Sequence, residues 1–309
     1  MEQNELLKSV LLAGIKEQRA ARRWRIFFRM LWLIIIAGII FVISGSIQKS
    51  PIKKPGKQIA VIDLHGLIDS ENKTYQNLSD SLADALKDKK TSAVIISANS
   101  PGGSPVYSNM AYDEILRLRK LYPKIPIYVV VEEVCASGCY YIASAANKIY
   151  ANPSSIVGSI GVIYTGFGLN GLMDKIGVDS RLMISGKNKA MGYPFIPPNK
   201  EQDDMQQEML NKIHNQFITA VKNGRGSILS NDPDLFSGRY WIGEDGLKLG
   251  LIDGFATVDS IARDQFHSEN LVDFTMDNDP IDKIFKKMGV SMLSIAKQEL
   301  AASYLGNIQ

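Results

Sequence analysis

Three short stretches carry residues that could do covalent chemistry. Val134 to Ala143 read VCASGCYYIA, with Ser137 midway between the only two cysteines of the chain, Cys135 and Cys139. Asn99 to Pro105 read NSPGGSP, and adjacent glycines after an apolar run let backbone N–H groups face a ligand without a Cβ in the way. Ile184 to Phe195 read ISGKNKAMGYPF, with Lys187 and Lys189 among glycine and apolar residues. A serine hydroxyl attacks a carbonyl only when a base takes its proton, and the oxyanion that results needs hydrogen-bond donors. The three histidines, His65, His214 and His267, fall in a strand, a polar helix and a polar loop, and none has a triad setting. A desolvated lysine can replace histidine, because burial disfavours the ammonium and brings its pKa toward neutrality. Each stretch alone also has a plain reading: Ser137 as an N-cap, Gly102-Gly103 as a turn, the lysines as solvated surface charges.

The elements around these stretches give them positions. Short β-rich runs at 59–68, 92–100, 125–134, 148–153 and 180–185 alternate with helical patterns at 79–88, 108–121 and 138–147. A polar helix follows from about Lys200 to Asn223, after the breaker IPPN. Near-continuous apolar strands suit a parallel sheet covered on both faces, and strand–helix alternation argues for an α/β domain with right-handed crossovers. Ser137 then falls where a strand ends and a helix begins, at the carboxyl edge where open α/β sheets place their sites.

Charge is divided unevenly. Residues 1–57 hold 11 Lys/Arg and 3 Asp/Glu, the rest 24 and 29, so the net +3 comes from the N-terminus and the globular part is acidic. That balance gives no support to nucleic-acid binding by the globular part. Two cysteines make neither a disulfide-stapled scaffold nor a four-ligand zinc site, so no metal or cofactor is expected. Met30 to Ile47 are 18 residues without a charge, enough to cross a bilayer core. Five arginines from Arg19 to Arg29 precede them and Lys49, Lys53, Lys54 and Lys57 follow, which favours a cytoplasmic N-terminus and an extracytoplasmic (periplasmic) domain. A cleaved signal peptide ending near Ser44–Ser46 is the competing reading of the same residues. The expected organisation is a basic segment 1–29, a membrane helix 30–47, a proline- and lysine-rich linker 48–58, a catalytic domain 59–281 and an amphipathic tail 282–309. The tail fits a docking helix or a helix lying on the membrane surface.

Taken together and in order, the motifs resemble those of the signal peptide peptidase A (SppA) family of membrane-anchored serine–lysine proteases, over about Ile59 to Asp259. ASGCYYIA is similar to the family's ASGGYYIA and NSPGG to its oxyanion loop. GKNK followed by Pro194 matches its base segment, VGSIGV its GS-[LI]-GV segment, and WIGEDGLKLGLIDGF a packing segment. The resemblance implies Ser137 as nucleophile, Lys189 as base, Ser159 as the residue that orients the lysine, and Gly138 with Gly102 or Gly103 as oxyanion donors. It implies the ClpP/crotonase fold of stacked β-α units, in single-length form. It further implies a homo-oligomeric ring whose sites are shared between protomers, and a membrane-bound endopeptidase acting on signal-peptide remnants and other unstructured peptides. The alternative is a catalytically inactive or partner-dependent membrane scaffold of the same fold. An acyl-CoA enzyme of the crotonase type would need neither an anchor nor a serine–lysine pair.

Cys139 is a departure, since the family has glycine there. A side chain at that position is expected to narrow the pocket and shift substrate preference. Cys135 or Cys139 as nucleophile is disfavoured, because neither occupies the turn. A Cys135–Cys139 disulfide is not expected either, because a bridge across a strand–helix turn would exceed the roughly 7 Å limit on Cα separation.

Overall fold

The computed structural model describes residues 22–37 and 56–276. The chain divides into two compact units, residues 1–53 with 279–309 and residues 54–278. In the first, residues 22–37 form helix α1, where the rings of Trp24, Phe27 and Phe28 contact one another with centroids 5.7 Å apart. Among the described residues no helix is long and apolar enough to cross a membrane. The expected span 30–47 runs past residue 37, so most of it lies outside the described residues, as does the expected tail helix from Asp282 to Leu305.

The second unit is built on a sheet of eight strands: β1 (Gln58–His65), β2 (Thr91–Ser100), β3 (Ile127–Ala136), β4 (Lys148–Ala151), β5 (Ile156–Gly158), β6 (Tyr240–Ile242), β7 (Gly254–Phe255) and β8 (Leu271–Asp273). Their order is β6-β5-β3-β2-β1-β8, with β4 pairing β3 and β7 off this path. Every pairing is parallel except β5 with β6. Strand β3 therefore forks: Tyr128–Val131 pair with β4, and Val134–Ala136 pair with β5. The register between β2 and β3 shifts at the same level, between Ala98 and Ser100, and this bend turns the end of β3 away from β4.

Helices α2 (Thr74–Lys87), α3 (Pro105–Leu121), α4 (Gly138–Ala143), α5 (Asn170–Ile176), α6 (Lys200–Arg225), α7 (Gly243–Lys248) and α8 (Val258–Phe266) complete the unit. Side chains alternate along each strand, so the two faces bury different residues. Val94, Ile96 and Ala98 of β2 join the main core with Leu82, Ile115 and Tyr140. Ala93 and Ile95 of the same strand pack with Ile261 and Ala262 of α8. Burial on both faces explains why the strands read as unbroken apolar runs.

Helix α6 is held at both ends. The Asn199 side chain caps its first turn, accepting from Gln202 N at 3.2 Å, and Glu201 and Asp203 sit there in favour with the helix dipole. At the other end Arg225 is buried, donating through Nε to Gly250 O (2.9 Å) and through Nη1 to Asp253 Oδ2 (2.7 Å). Asp253 also accepts the Ile149 N–H at 2.7 Å, so one carboxylate ties α6 to β4.

One expectation fails here. Residues 180–185 form no strand, and Met183 is 95% exposed. The local pattern is strand-like, but β-structure needs a paired neighbour and among the described residues none pairs with this segment. Helix α5, which buries no residue, and the two- or three-residue strands β5 to β8 fall below what sequence periodicity resolves.

Replacing Asp253 with alanine leaves the Arg225 guanidinium buried without its counter-charge. The expected loss is about 3 kcal/mol of unfolding free energy in a denaturant titration. An unchanged midpoint would contradict the tie between α6 and β4.

Candidate active site

Strand β3 ends at Ala136, and the next residue departs sharply from the strand. Ser137 has φ 52° and ψ −123°, a conformation that residues with a Cβ rarely adopt. Its N–H donates to Gly158 O (2.9 Å), and its carbonyl accepts the Tyr141 N–H (2.9 Å), the first bond of α4. The hydroxyl is thereby presented on a strand–turn–helix elbow, the local geometry used by nucleophilic serines on α/β sheets.

The NSPGG loop lies directly against this elbow. A Cβ on Gly102 would stand 2.7 Å from Gly138 N and 2.8 Å from the Ser137 Cβ, so only glycine fits. Gly103 is as tightly placed, against the Ile68 backbone, where a bridge (Ile68 N to Gly102 O, 2.9 Å; Ser104 N to Ile68 O, 2.7 Å) fixes the loop. The Gly102 N–H is taken by Ser100 Oγ at 3.1 Å. That leaves the N–H groups of Gly103 and Gly138 uncommitted and adjacent: a Cβ on Gly138 would be 3.2 Å from Gly103 N. Of the two loop glycines, Gly103 is thus the one whose N–H is free, while Gly102 allows the close approach.

These groups open into a cavity of about 650 Å³. Ser159, which has φ 53° and donates its N–H to Arg239 O (2.9 Å), lines it beside Ser137. Leu67, Val162, Ile163 and Phe217 make much of its wall apolar. The Tyr141 ring stacks on Phe217 with centroids 4.7 Å apart, and its hydroxyl donates to Asn109 Oδ1 at 2.6 Å.

Lys189 is not brought into this cavity. It is exposed in a turn where its N–H donates to Gly186 O (2.9 Å), and it does not line the cavity of its own chain. Lys187 nearby is paired with Glu201 at 3.1 Å in solvent. Sequence reasoning gave His214, on a polar helix, no place at the cavity. It lines the cavity from α6, with Nε2 2.9 Å from Ile160 O, which fixes the proton on that nitrogen. No sequence signal marked which face of this polar helix turns inward. His65, by contrast, stands outside the cavity, 3.4 Å from Glu132 Oε1. Among the described residues no cluster of His, Cys, Asp or Glu could hold a metal ion.

The cysteines correct two expectations. Cys135 and Cys139 are bonded to each other, with Cα atoms 5.1 Å apart. The turn at Ser137 folds the chain back on itself, which brings the flanking residues within reach. The Cys139 side chain is fully buried beneath the elbow and does not line the cavity, so it cannot narrow it.

Burial pushes the Tyr141 phenol up to about 12 from 10.0, with the Asp113 and Tyr112 charges adding to the shift, and burial raises Tyr140 as well. The fold thus favours the neutral phenol, and that stability is intact below about pH 10 and lost as pH rises toward 12. Tyrosinate absorbance should show phenols that ionise only as the near-ultraviolet dichroism collapses. Complete ionisation near pH 10 with the dichroism retained would contradict this burial.

The description Peptidase family S49 matches residues 119–271. A Brucella abortus protein named Na(+)/H(+) antiporter NhaA is 42% identical over 212 residues, 67% of this chain and 29% of that one. A protein of Enterococcus faecium provisionally named signal peptide peptidase SppA is 31% identical over 225 residues, covering 69% and 65%. A protein of Synechocystis sp. provisionally named a protease is 32% identical over 207 residues, covering 65% and 70%. The chain thus spans under a third of the Brucella relative and about two thirds of the other two. Among solved structures, a membrane-bound stomatin-specific protease with a substrate peptide aligns with TM-score 0.49 at 18% identity, over 76% of this chain and 98% of that one.

Proposed function

Because this chain belongs to peptidase family S49, we propose that it is a serine endopeptidase in which Ser137 is the nucleophile and Lys189 the general base. The observation that carries the reading is the elbow: a serine in a strained turn with the Gly103 and Gly138 N–H groups uncommitted beside it. Neutral Lys189 takes the proton from Ser137 Oγ as that oxygen attacks the peptide carbonyl, and the two N–H groups hold the tetrahedral oxyanion. Lys189 then protonates the leaving amine. Water, deprotonated in turn by the lysine, releases the acyl group and restores the serine. Ser159, in the same cavity as Ser137, orients the incoming lysine.

In this reading the lysine comes from a second copy of the chain. The cavity around Ser137 lacks Lys189, and the segment that carries the lysine has apolar side chains with no face to cover them: Ile163 is 85% exposed, Phe167 84% and Met183 95%. A closed homo-oligomeric ring of ClpP/crotonase-type subunits buries such residues and completes each site at once. The 18-residue apolar run at 30–47 anchors the assembly to the cell membrane, with the N-terminus cytoplasmic and the catalytic domain outside. The apolar cavity wall suits the apolar stretches of signal-peptide remnants, the substrate class of this reading.

Ser137→Ala and Lys189→Ala are each expected to lower hydrolysis of unstructured peptides by at least about 1000-fold. Co-assembled in equal amounts, the two inactive chains should recover activity at about one site in four, since a wild-type serine then meets a wild-type lysine at that frequency. Mixed assemblies as inactive as their parents would contradict the shared site, full activity in Ser137→Ala would remove Ser137 as the nucleophile, and a wild type that hydrolyses no peptide would leave the scaffold reading in its place. Gly103→Ala, which forces its loop off Ile68 and displaces a donor, should lower kcat about 100- to 1000-fold.

A further inference from the structure

The disulfide encloses the elbow. Cys135 is the penultimate residue of β3, Cys139 is the second residue of α4, and Ser137 is the middle of the three residues between them. Both cysteines are fully buried, with the bond on the core side of the turn and the serine hydroxyl on the cavity side. Besides the disulfide, two backbone hydrogen bonds hold the turn, from Ser137 N to Gly158 O and from Tyr141 N to Ser137 O. Those bonds must keep a residue with a Cβ at φ 52°, a conformation that persists only when its surroundings over-determine it.

A cross-link stabilises a whole fold chiefly by restricting the unfolded chain, and that effect grows with the length of the loop it closes. The loop closed here is about as short as loops come, so its effect on the global fold is small. What it constrains is local: the spacing between the end of β3 and the first turn of α4, which sets the direction of the Ser137 side chain.

We propose that the Cys135–Cys139 disulfide is a positioning device for Ser137, holding the elbow in the conformation that presents its hydroxyl beside the Gly103 and Gly138 donors. The effect on rate rests on the peptidase reading above; the effect on the turn does not. Reduction by a dithiol moves two electrons and two protons onto the cysteine pair, yielding two thiols while the reductant becomes a disulfide. The reduced chain stays folded with a slack elbow. The device also ties full competence to an oxidising compartment, where such a bond forms and persists.

The test uses the full-length protein in detergent, before and after dithiothreitol, and the Cys135→Ala/Cys139→Ala double variant. Alkylation under denaturing conditions counts thiols, hydrogen exchange with mass spectrometry follows the peptide spanning 134–143, and peptide hydrolysis gives kcat and KM. The expected result is no free thiol before reduction and two after, with amides from Ser137 to Tyr141 exchanging at least about 10-fold faster once the bond is open. The kcat should fall at least about 10-fold with KM changed less than about twofold. The double variant should match the reduced protein and ignore dithiothreitol. Two free thiols in protein prepared under oxidising conditions would overturn the proposal, as would unchanged exchange and kcat after confirmed reduction. If the double variant fails to fold, the reduction arm decides alone. If oxidised wild type hydrolyses no peptide, the peptidase reading fails while hydrogen exchange still decides the clamp.

Discussion

The contact between two backbones, the Gly102-Gly103 loop and the Ser137-Gly138 elbow, is the constraint on which the rest of the site depends. A Cβ on Gly102 would come within 2.8 Å of the Ser137 Cβ and the Ala136 carbonyl oxygen. Atoms that close leave room for no side chain and no water, and they bring two N–H donors side by side. The sheet exists, for this purpose, to deliver the two segments to one place: β2 and β3 are parallel neighbours, so their carboxyl ends arrive together. The fork of β3 then carries the elbow past β4 and onto β5, whose Gly158 carbonyl receives the Ser137 N–H. From the same strand end comes Ser159, and behind it the Trp241 indole lies under the Arg239 guanidinium at 4.0 Å, packing β6 against the turn.

Much of this was legible in the sequence because glycine and turn chemistry are local. The order strand–NSPGG–helix and strand–ASG–helix places each segment at the carboxyl end of a strand, and the sheet itself follows from apolar runs buried on two faces. What could not be read depends on residues distant in sequence. The 180–185 segment has a strand's composition but pairs with no strand among the described residues. His214 faces the cavity because of how α6 docks, through Phe217 and the buried Arg225, which the polar surface pattern of that helix conceals. The disulfide was missed for a different reason: its distance was judged for an ordinary strand-to-helix junction, whereas a positive φ at Ser137 folds the junction tightly enough to bring Cys135 and Cys139 together.

One chain brings Ser137 and the Gly103 and Gly138 N–H groups to a single cavity, but it leaves Lys189 outside. Lys189 belongs to the stretch from 161 to 199. Its residues include exposed Ile163, Phe167 and Met183 and form little regular structure, and in the proposed ring they would face a neighbouring copy. Under the proposed reading, splitting Ser137 from Lys189 across such a surface leaves an isolated chain inert.

The central claim is that Ser137 Oγ forms a covalent bond with the acyl group of the substrate. The most direct measurement is intact and peptide-mapped mass spectrometry after acid quenching of the full-length protein with an activated ester of a short apolar peptide. The account expects one acyl group per active chain, located on the fragment that contains Ser137 and lost on further incubation with water. An acyl group on any other side chain, or hydrolysis proceeding with none, would contradict it.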